Sequence, residues 1–468
     1  MAYTNYCCRS GGSNLNAGTR TGDTTEPGTS ASFTYASGTW VSSSGVFTVA
    51  SGNPQSDGVA AGDMASVYAD GATVTTLVGR VTAVSTTTIT VSTGAKSGTT
   101  TDGTSNRTLK IGGAWKGPNG TENFPFGFIT TASHDGTNTS IRINLKNDAS
   151  YVVSAAVASS TGSLLFEGYT TSYSDGGKAI IDANANAIVV LTLSGANNVA
   201  KNLIITNNGA SGSNAGLVMS GSTSRAIGCV AHDIRGFGIN LSGASASAIE
   251  CEAYLCNGSN TSNTSGINLG TSGALAVRCV SHDNSGSNSH GFTINNSQVA
   301  GLVDCIADTN GGSGVLFVTG AAAVLVRVDC YKNGADGVNA TGGGPHLDSC
   351  NFVWNGAYGV RGNSAALSGY LLINCGFGAG TMANASGTTT GVSTQESGSV
   401  NYASDVTPWV DPANGDFRVS LAAAKGAGRG VFTQTQASYT GAVGYPDRGA
   451  AQHVDSGGSG GYSRGRTI

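Results

Sequence analysis

Around seven cysteines in the middle of the chain, apolar and polar residues alternate. Two positions before the cysteine stand Ile227, Ile249, Val277, Val303, Val328 and Ile373, with Asp348 breaking the series. One position before it stand Gly228, Glu250, Arg278, Asp304, Asp329, Ser349 and Asn374, and two after it Ala231, Ala253, Ser281 and Ala307. A period of two marks a β-strand with apolar side chains inward and polar ones outward. This reading places Cys229, Cys251, Cys279, Cys305, Cys330, Cys350 and Cys375 in one inward file.

A second marker keeps step with the first. Glycine precedes a large apolar residue at Gly216-Leu217, Gly238-Ile239, Gly266-Ile267, Gly291-Phe292, Gly314-Val315, Gly337-Val338 and Gly359-Val360. Successive gaps are 22, 28, 25, 23, 23 and 22 residues. Two markers in one period define a structural repeat. A strand-forming unit of this size is too short for a propeller blade of roughly 40–50 residues. What remains is a parallel β-helix, whose turns bury their apolar side only by stacking. Equivalent residues then lie about 4.8 Å apart. Asn284, Asn310 and Asn355, each five after its cysteine, are expected to form a second ladder at a turn. Stacked side-chain amides can satisfy turn backbone.

Segments such as "DCYKNGADGV", "SCNFVWNGAYGV" and "DCIADTNGGSGV" resemble the coils of right-handed parallel β-helix proteins, the pectate-lyase-like superfamily. The resemblance covers roughly residues 110–395. It implies an all-β, right-handed, single-stranded parallel β-helix. The superfamily includes polysaccharide lyases and hydrolases, bacterial surface proteins, and phage tailspikes and other virion proteins. Fold does not choose among these.

The organisation expected is a small N-terminal β domain over 1–110, the solenoid over 111–395, and a C-terminal cap and tail over 396–468. "GDMASVYADG" and "VGRVTAVSTTTITVS" predict two or three antiparallel strands. "KSGTTTDGTSNRT" reads as a loop, and the solenoid is expected to begin at "TLKIGGAW". In "NLIITNN", Ile205 is expected to take the cysteine's place. "PWVDPANGDFRVS" and "GYPDRGAAQ" look like the closing segment of many β-helix proteins.

Composition narrows the partners. Net charge is -4 and 11% of residues are charged, with no basic run, so no nucleic acid is expected. Apolar runs such as "AIVVLTL" are too short to span a bilayer. The N-terminus carries no secretory signal pattern. Together these lead to the expectation of a phage virion surface protein, made in the cytoplasm and released by lysis. Such a protein, either tailspike, fibre or capsid decoration, would contact other virion proteins and a cell-surface polysaccharide. A homotrimer is expected, in contact mainly through 340–468. The runners-up are a polysaccharide lyase or hydrolase and a bacterial adhesin or filament subunit.

Candidate chemistry lies on the arc after the cysteine. Three residues after it stand His232, Tyr254, His282, Asp308 and Asn333, and one further on Asp233 and Asp283. The catalytic candidates are His282, Asp308, Asp283 and His232. The binding candidates are Tyr254, His290, Trp354 and Tyr358. The competing reading is a solvated polar face with His–Asp neighbours bonded as a surface ladder. Lyases of this fold usually show acidic calcium ligands with a nearby lysine or arginine. Asp304, Asp308 and Asp329 are the only comparable cluster, with Lys332 near them at a position read as inward. No CxxC pair supports zinc, and no cofactor or metal is expected. Cys7-Cys8 reads as one inward and one outward strand residue.

Overall fold

The structure is a computed structural model. It describes residues 3–9, 17, 28, 30–70, 77–92, 103–112, 140–160, 162–209, 214–256, 264–295, 300–318, 320–340, 344–362, 371–373, 375–378, 400–401, 407–414 and 416–421. Two compact units are distinguished: 1–209 with 218–230, and 210–217 with 231–468. The fold is a right-handed parallel β-helix with a small antiparallel β domain.

One coil shows the plan. The strand Leu275–Val277 lies in the first sheet. Arg278 then turns the chain at φ 51°, and Cys279 follows. Val280–His282 lies in the second sheet. Asp283 turns the chain again at φ 50°. Asn284 and a short loop lead to Ser289–Ile294 in the third sheet. Ala300–Val303 then re-enters the first sheet in register with Leu275–Val277.

The left-handed residue corrects the inward reading. Alternation does not run through the cysteine, because the residue before it is a corner. Ala248, Ala276, Leu302, Leu325 and Leu347 face the core at 0% exposure, whereas Ile249, Val277, Val303 and Val326 are only half-buried. The residue two before the cysteine therefore faces outward. Glu250, Arg278 and Asp304 are corner residues at φ 51–55° rather than strand residues. Each corner N–H donates to the next coil: Glu250 to the Val277 carbonyl at 2.9 Å, and Arg278 to that of Val303 at 2.9 Å. A left-handed L-residue costs roughly 1–2 kcal/mol, which these bonds offset.

Cys330 lies outside the file. The corner of its coil is Arg327, at φ 51°, so Val328 fills the cysteine's place and Cys330 pairs with Ala307 two positions on. Val328 N–H donates to the Cys350 sulfur at 3.4 Å. The same offset occurs near Ile205. Asn202 is the corner there, at φ 53°, so Leu203 holds the place assigned to Ile205. All ten cysteines are buried free thiols. Cys7 and Cys8 keep the one-in, one-out order: Cys8 is in register with Leu145 in the core, and Cys7 with Asn144 on the outward side, where the Tyr169 hydroxyl covers it at 3.0 Å, so both are buried.

The Asn ladder is longer than read and lies inside the turn. Asn284 Nδ2 donates to Asn310 Oδ1 at 2.6 Å, Asn310 to Asn333 at 2.8 Å, and Asn333 to Asn355 at 2.9 Å. Asn333 belongs here and not on the outer face, because Cys330 is displaced by two.

The N-terminal residues split between two structures. Tyr3–Cys8 pairs in parallel with Ser140–Lys146 as a first-sheet strand of the solenoid. Phe33–Val41, Val46–Thr48, Met64–Ala69, Leu77–Val84, Thr88–Val91 and Gly103–Ile111 close a barrel. Trp40, Phe47, Leu109 and Ile111 fill its core. "TLKI" thus ends a barrel strand and does not begin the solenoid; the segment read as a loop becomes strand from Gly103. At the other end, Trp409–Asp411 and Asp416–Val419 form an antiparallel hairpin. It packs on the outer face of the second sheet, with Trp409, Phe417 and Val419 against Ile306, Tyr331 and Val353. "GYPDRGAAQ" lies outside the described residues.

Candidate functional site

The second sheet exposes two outward files. One runs Glu252, Val280, Ile306, Asp329 and Asn351. The other runs Tyr254, His282, Asp308, Tyr331 and Val353 in the same register. The hairpin covers the later rungs of both, so Asp329 and Asn351 are fully buried and bonded to each other at 2.9 Å. His282 and Asp308 stand beside this apolar cover and keep only 5% and 6% exposure.

Parallel register stacks the rings of the earlier rungs. His232 and Tyr254 lie 4.9 Å apart between centroids at 9°, and Tyr254 and His282 lie 5.1 Å apart at 10°. Rings stacked along the solenoid axis turn their edges outward. Those edges carry N–H and O–H groups rather than flat apolar faces, and the histidine nitrogens among them are largely taken up by carboxylates of the chain itself. Burial, then the charges of Glu252 and Asp233, raise the Tyr254 pKa, which keeps the phenol a donor.

Two His–Asp pairs repeat along the row. His232 Nδ1 meets Asp233 Oδ2 at 2.7 Å, and His282 Nδ1 meets Asp283 Oδ2 at 2.8 Å. Asp233 and Asp283 occupy the second corner at φ 54° and 50°, a conformation aspartate tolerates better than most residues. His282 Nε2 also meets Glu252 Oε1 at 2.9 Å. Burial opposes a charge on His282, yet the bonds to Glu252 and Asp283 and the charge of Asp308 outweigh it and raise its pKa. With both nitrogens facing carboxylates, the ring donates twice whenever it is protonated.

Five sequence candidates thus gather: His232, Tyr254, His282, Asp283 and Asp308. Three do not. His290 lies within the third-sheet strand Ser289–Ile294, where Nδ1 accepts the Ser313 N–H at 3.0 Å and burial lowers its pKa to about 4. Trp354 packs against Tyr331 and the hairpin cluster. Tyr358 lies under the Arg361 guanidinium, 5.8 Å from its ring centroid. Glu252 escaped the sequence reading, although it stands two positions before Tyr254 on the same outward face. Tyr331 escaped it because Asn333 was counted in its place.

Among the described residues, one group has metal-ligand spacing. The candidate ligand atoms of His282, Asp283 and Asp308 lie within 4.8 Å of one another. The acidic trio considered from sequence is dispersed. Asp304 pairs with Arg327 at the first corner, and Asp329 lies under the hairpin. Lys332 is an exposed corner residue at φ 50°, not an inward one. Its ammonium stands 5.2 Å from the Tyr331 centroid and 5.6 Å from that of Trp354.

No family model and no curated protein sequence matches this chain. Among solved structures, pectate lyase Pel9A superposes with a TM-score of 0.52 at 17% identity, over 68% of this chain and 89% of that one. The likeness is one of fold. ORF18 of Geobacillus virus E2 gives 0.40 at 11% identity, over 58% of this chain and 54% of that one. The Gp54 tailspike of Acinetobacter baumannii bacteriophage AP22, solved with capsular saccharide, gives 0.26 at 10% identity, over 79% and 63%.

Proposed function

We propose that this chain is a surface protein of a bacteriophage virion that binds an extended polysaccharide along its second sheet. The row His232–Tyr254–His282, with Glu252, Asp233, Asp283 and Asp308 beside it, carries this reading. It is a linear array of donors and acceptors repeating at the coil spacing. A polymer with regularly spaced hydroxyls matches such an array. The hairpin closes one end of the row.

The virion setting is supported by the ten free, buried thiols. A chain that completes folding in a reducing compartment keeps thiols unpaired, and lysis then delivers it outside. Assembly as a homotrimer with other virion proteins belongs to the same reading. Mass spectrometry of purified particles tests it. The chain is expected at structural stoichiometry, and absence from the particles would overturn the virion setting. Binding is tested separately on an array of bacterial surface polysaccharides. Retention of wild-type chain and loss with Tyr254→Ala is the expected result; no retention of either would overturn it.

The grouping of His282, Asp283 and Asp308 favours a second reading, a polysaccharide lyase or hydrolase. It predicts release of unsaturated or reducing ends from the bound polysaccharide, abolished by Asp308→Ala or His282→Ala. A bound polysaccharide that is recovered intact would exclude it.

A further inference from the structure

Three successive coils bring three carboxylates to one imidazole. Glu252 precedes His282 by one coil, Asp283 follows it at the corner, and Asp308 stands in register with it on the next coil. The Asp283 N–H donates to the Asp308 carbonyl at 3.2 Å, which ties the corner to that rung. The ligand atoms of His282, Asp283 and Asp308 fall within 4.8 Å of one another, and two of the three residues are buried. The stack on Tyr254, at 10°, holds the plane of the His282 ring.

The two ring nitrogens are not equivalent. Nε2 meets Glu252 Oε1 at 2.9 Å, and Nδ1 meets Asp283 Oδ2 at 2.8 Å. A neutral imidazole carries a hydrogen on only one nitrogen. Donation from Nε2 to Glu252 leaves the Nδ1 lone pair against a carboxylate oxygen. Two lone pairs this close need a cation between them, either a proton or a metal ion. Metal-bound histidines commonly donate their other N–H to a carboxylate, which is the place Glu252 holds. An ion bonded at about 2.1 Å to both nitrogen and oxygen would span the gap at roughly a right angle, as neighbouring ligands of an octahedral site do.

We propose that His282 Nδ1, Asp283 and Asp308 bind one divalent first-row transition-metal ion. Calcium and magnesium take oxygen ligands, whereas an imidazole nitrogen suits the transition ions. Two carboxylates and a neutral ring match the charge of the ion. Glu252 stays outside the ligand set and positions the ring. Neither functional reading above requires an ion, so its binding is tested without a polysaccharide.

Calorimetric titration of the chelator-treated, reduced full chain with Co2+ at neutral pH provides the test. One Co2+ per chain is expected, with visible absorption that lacks the charge-transfer band of thiolate ligation. Ca2+ at the same concentration is expected not to displace it. Asp283→Asn keeps a residue that tolerates the left-handed corner. It should leave the circular dichroism spectrum unchanged and weaken Co2+ binding roughly tenfold or more. Glu252→Gln, which touches the ring but not the ion, should weaken it roughly 10–100-fold. If Asp283→Asn misfolds, Asp308→Asn provides the second variant, with the same loss expected. No Co2+ uptake by folded wild type would overturn the site and leave the proton as the cation. Undiminished uptake by a folded Asp283→Asn or Asp308→Asn, or a thiolate band, would place the ion elsewhere and overturn it too. Displacement by Ca2+ would overturn the choice of a transition ion.

Discussion

Two histidines a few residues apart have pKa values shifted in opposite directions. His282 faces Glu252, Asp283 and Asp308, which lift its pKa against the effect of burial. His290 is buried among neutral groups, accepts a backbone N–H, and is held at about 4. Their contributions to stability therefore run in opposite directions with pH. The contribution of His282 is complete below the ordinary imidazole pKa of about 6.5, and fades as pH rises through the raised value. That of His290 is present above that ordinary value and fades as pH falls towards about 4. Urea denaturation across pH checks both. The gap between wild type and His282→Gln should be widest in acid, and the gap to His290→Asn widest near neutrality. Parallel curves for either variant would contradict the direction of its shift.

At the scale of elements, the Asn ladder and the glycines beside it hold the second turn together. Asn310 accepts from Asn284 and donates to Asn333 and to the Ser281 carbonyl. Asn310→Ala leaves these buried partners stranded, at about 1–3 kcal/mol each. A shift of the urea midpoint worth less than about 1 kcal/mol would count against the ladder. Gly291 packs inside the same turn. A Cβ there would meet the Gly314 carbonyl oxygen at 2.6 Å and Asn310 Nδ2 at 2.9 Å. Gly291→Ala should therefore destabilise the coil, read as a lowered melting temperature.

The period and the type of coil were legible in the sequence because glycine and cysteine recur in phase. The direction of the first-sheet side chains was not. A single left-handed residue between two strands leaves the written alternation intact while reversing which side faces the core. Val328 shows the same limit. It satisfies the inward place as well as cysteine does, so the cysteine pattern concealed a two-residue offset. Of the site, His232, Tyr254, His282, Asp283 and Asp308 were legible from their constant distance to the cysteine. Glu252 was not, because its bond to His282 crosses from one coil to the next, although its place two before Tyr254 puts it on the same outward face. Thiol labelling tests the burial that both kinds of cysteine share. All ten cysteines, Cys330 and Cys256 included, should react slowly in the folded protein and quickly in urea. Fast native labelling of Cys330 would contradict its place beside Ala307.

For the whole molecule, one solenoid presents two unlike faces to its surroundings. The second sheet offers ring edges and carboxylates beside an apolar hairpin, and the first sheet offers an uncharged apolar stripe. Glycan recognition is proposed for the second sheet. The central claim is that the row reads a ligand hydroxyl with the edge of Tyr254. Titration calorimetry of the polysaccharide retained on the array, with wild type and Tyr254→Phe, tests it most directly. The phenylalanine keeps the stack between His232 and His282 and removes only the outward hydroxyl. Losing one hydrogen bond worth about 1 kcal/mol should weaken binding roughly fivefold. Unchanged or tighter binding by Tyr254→Phe would contradict the account.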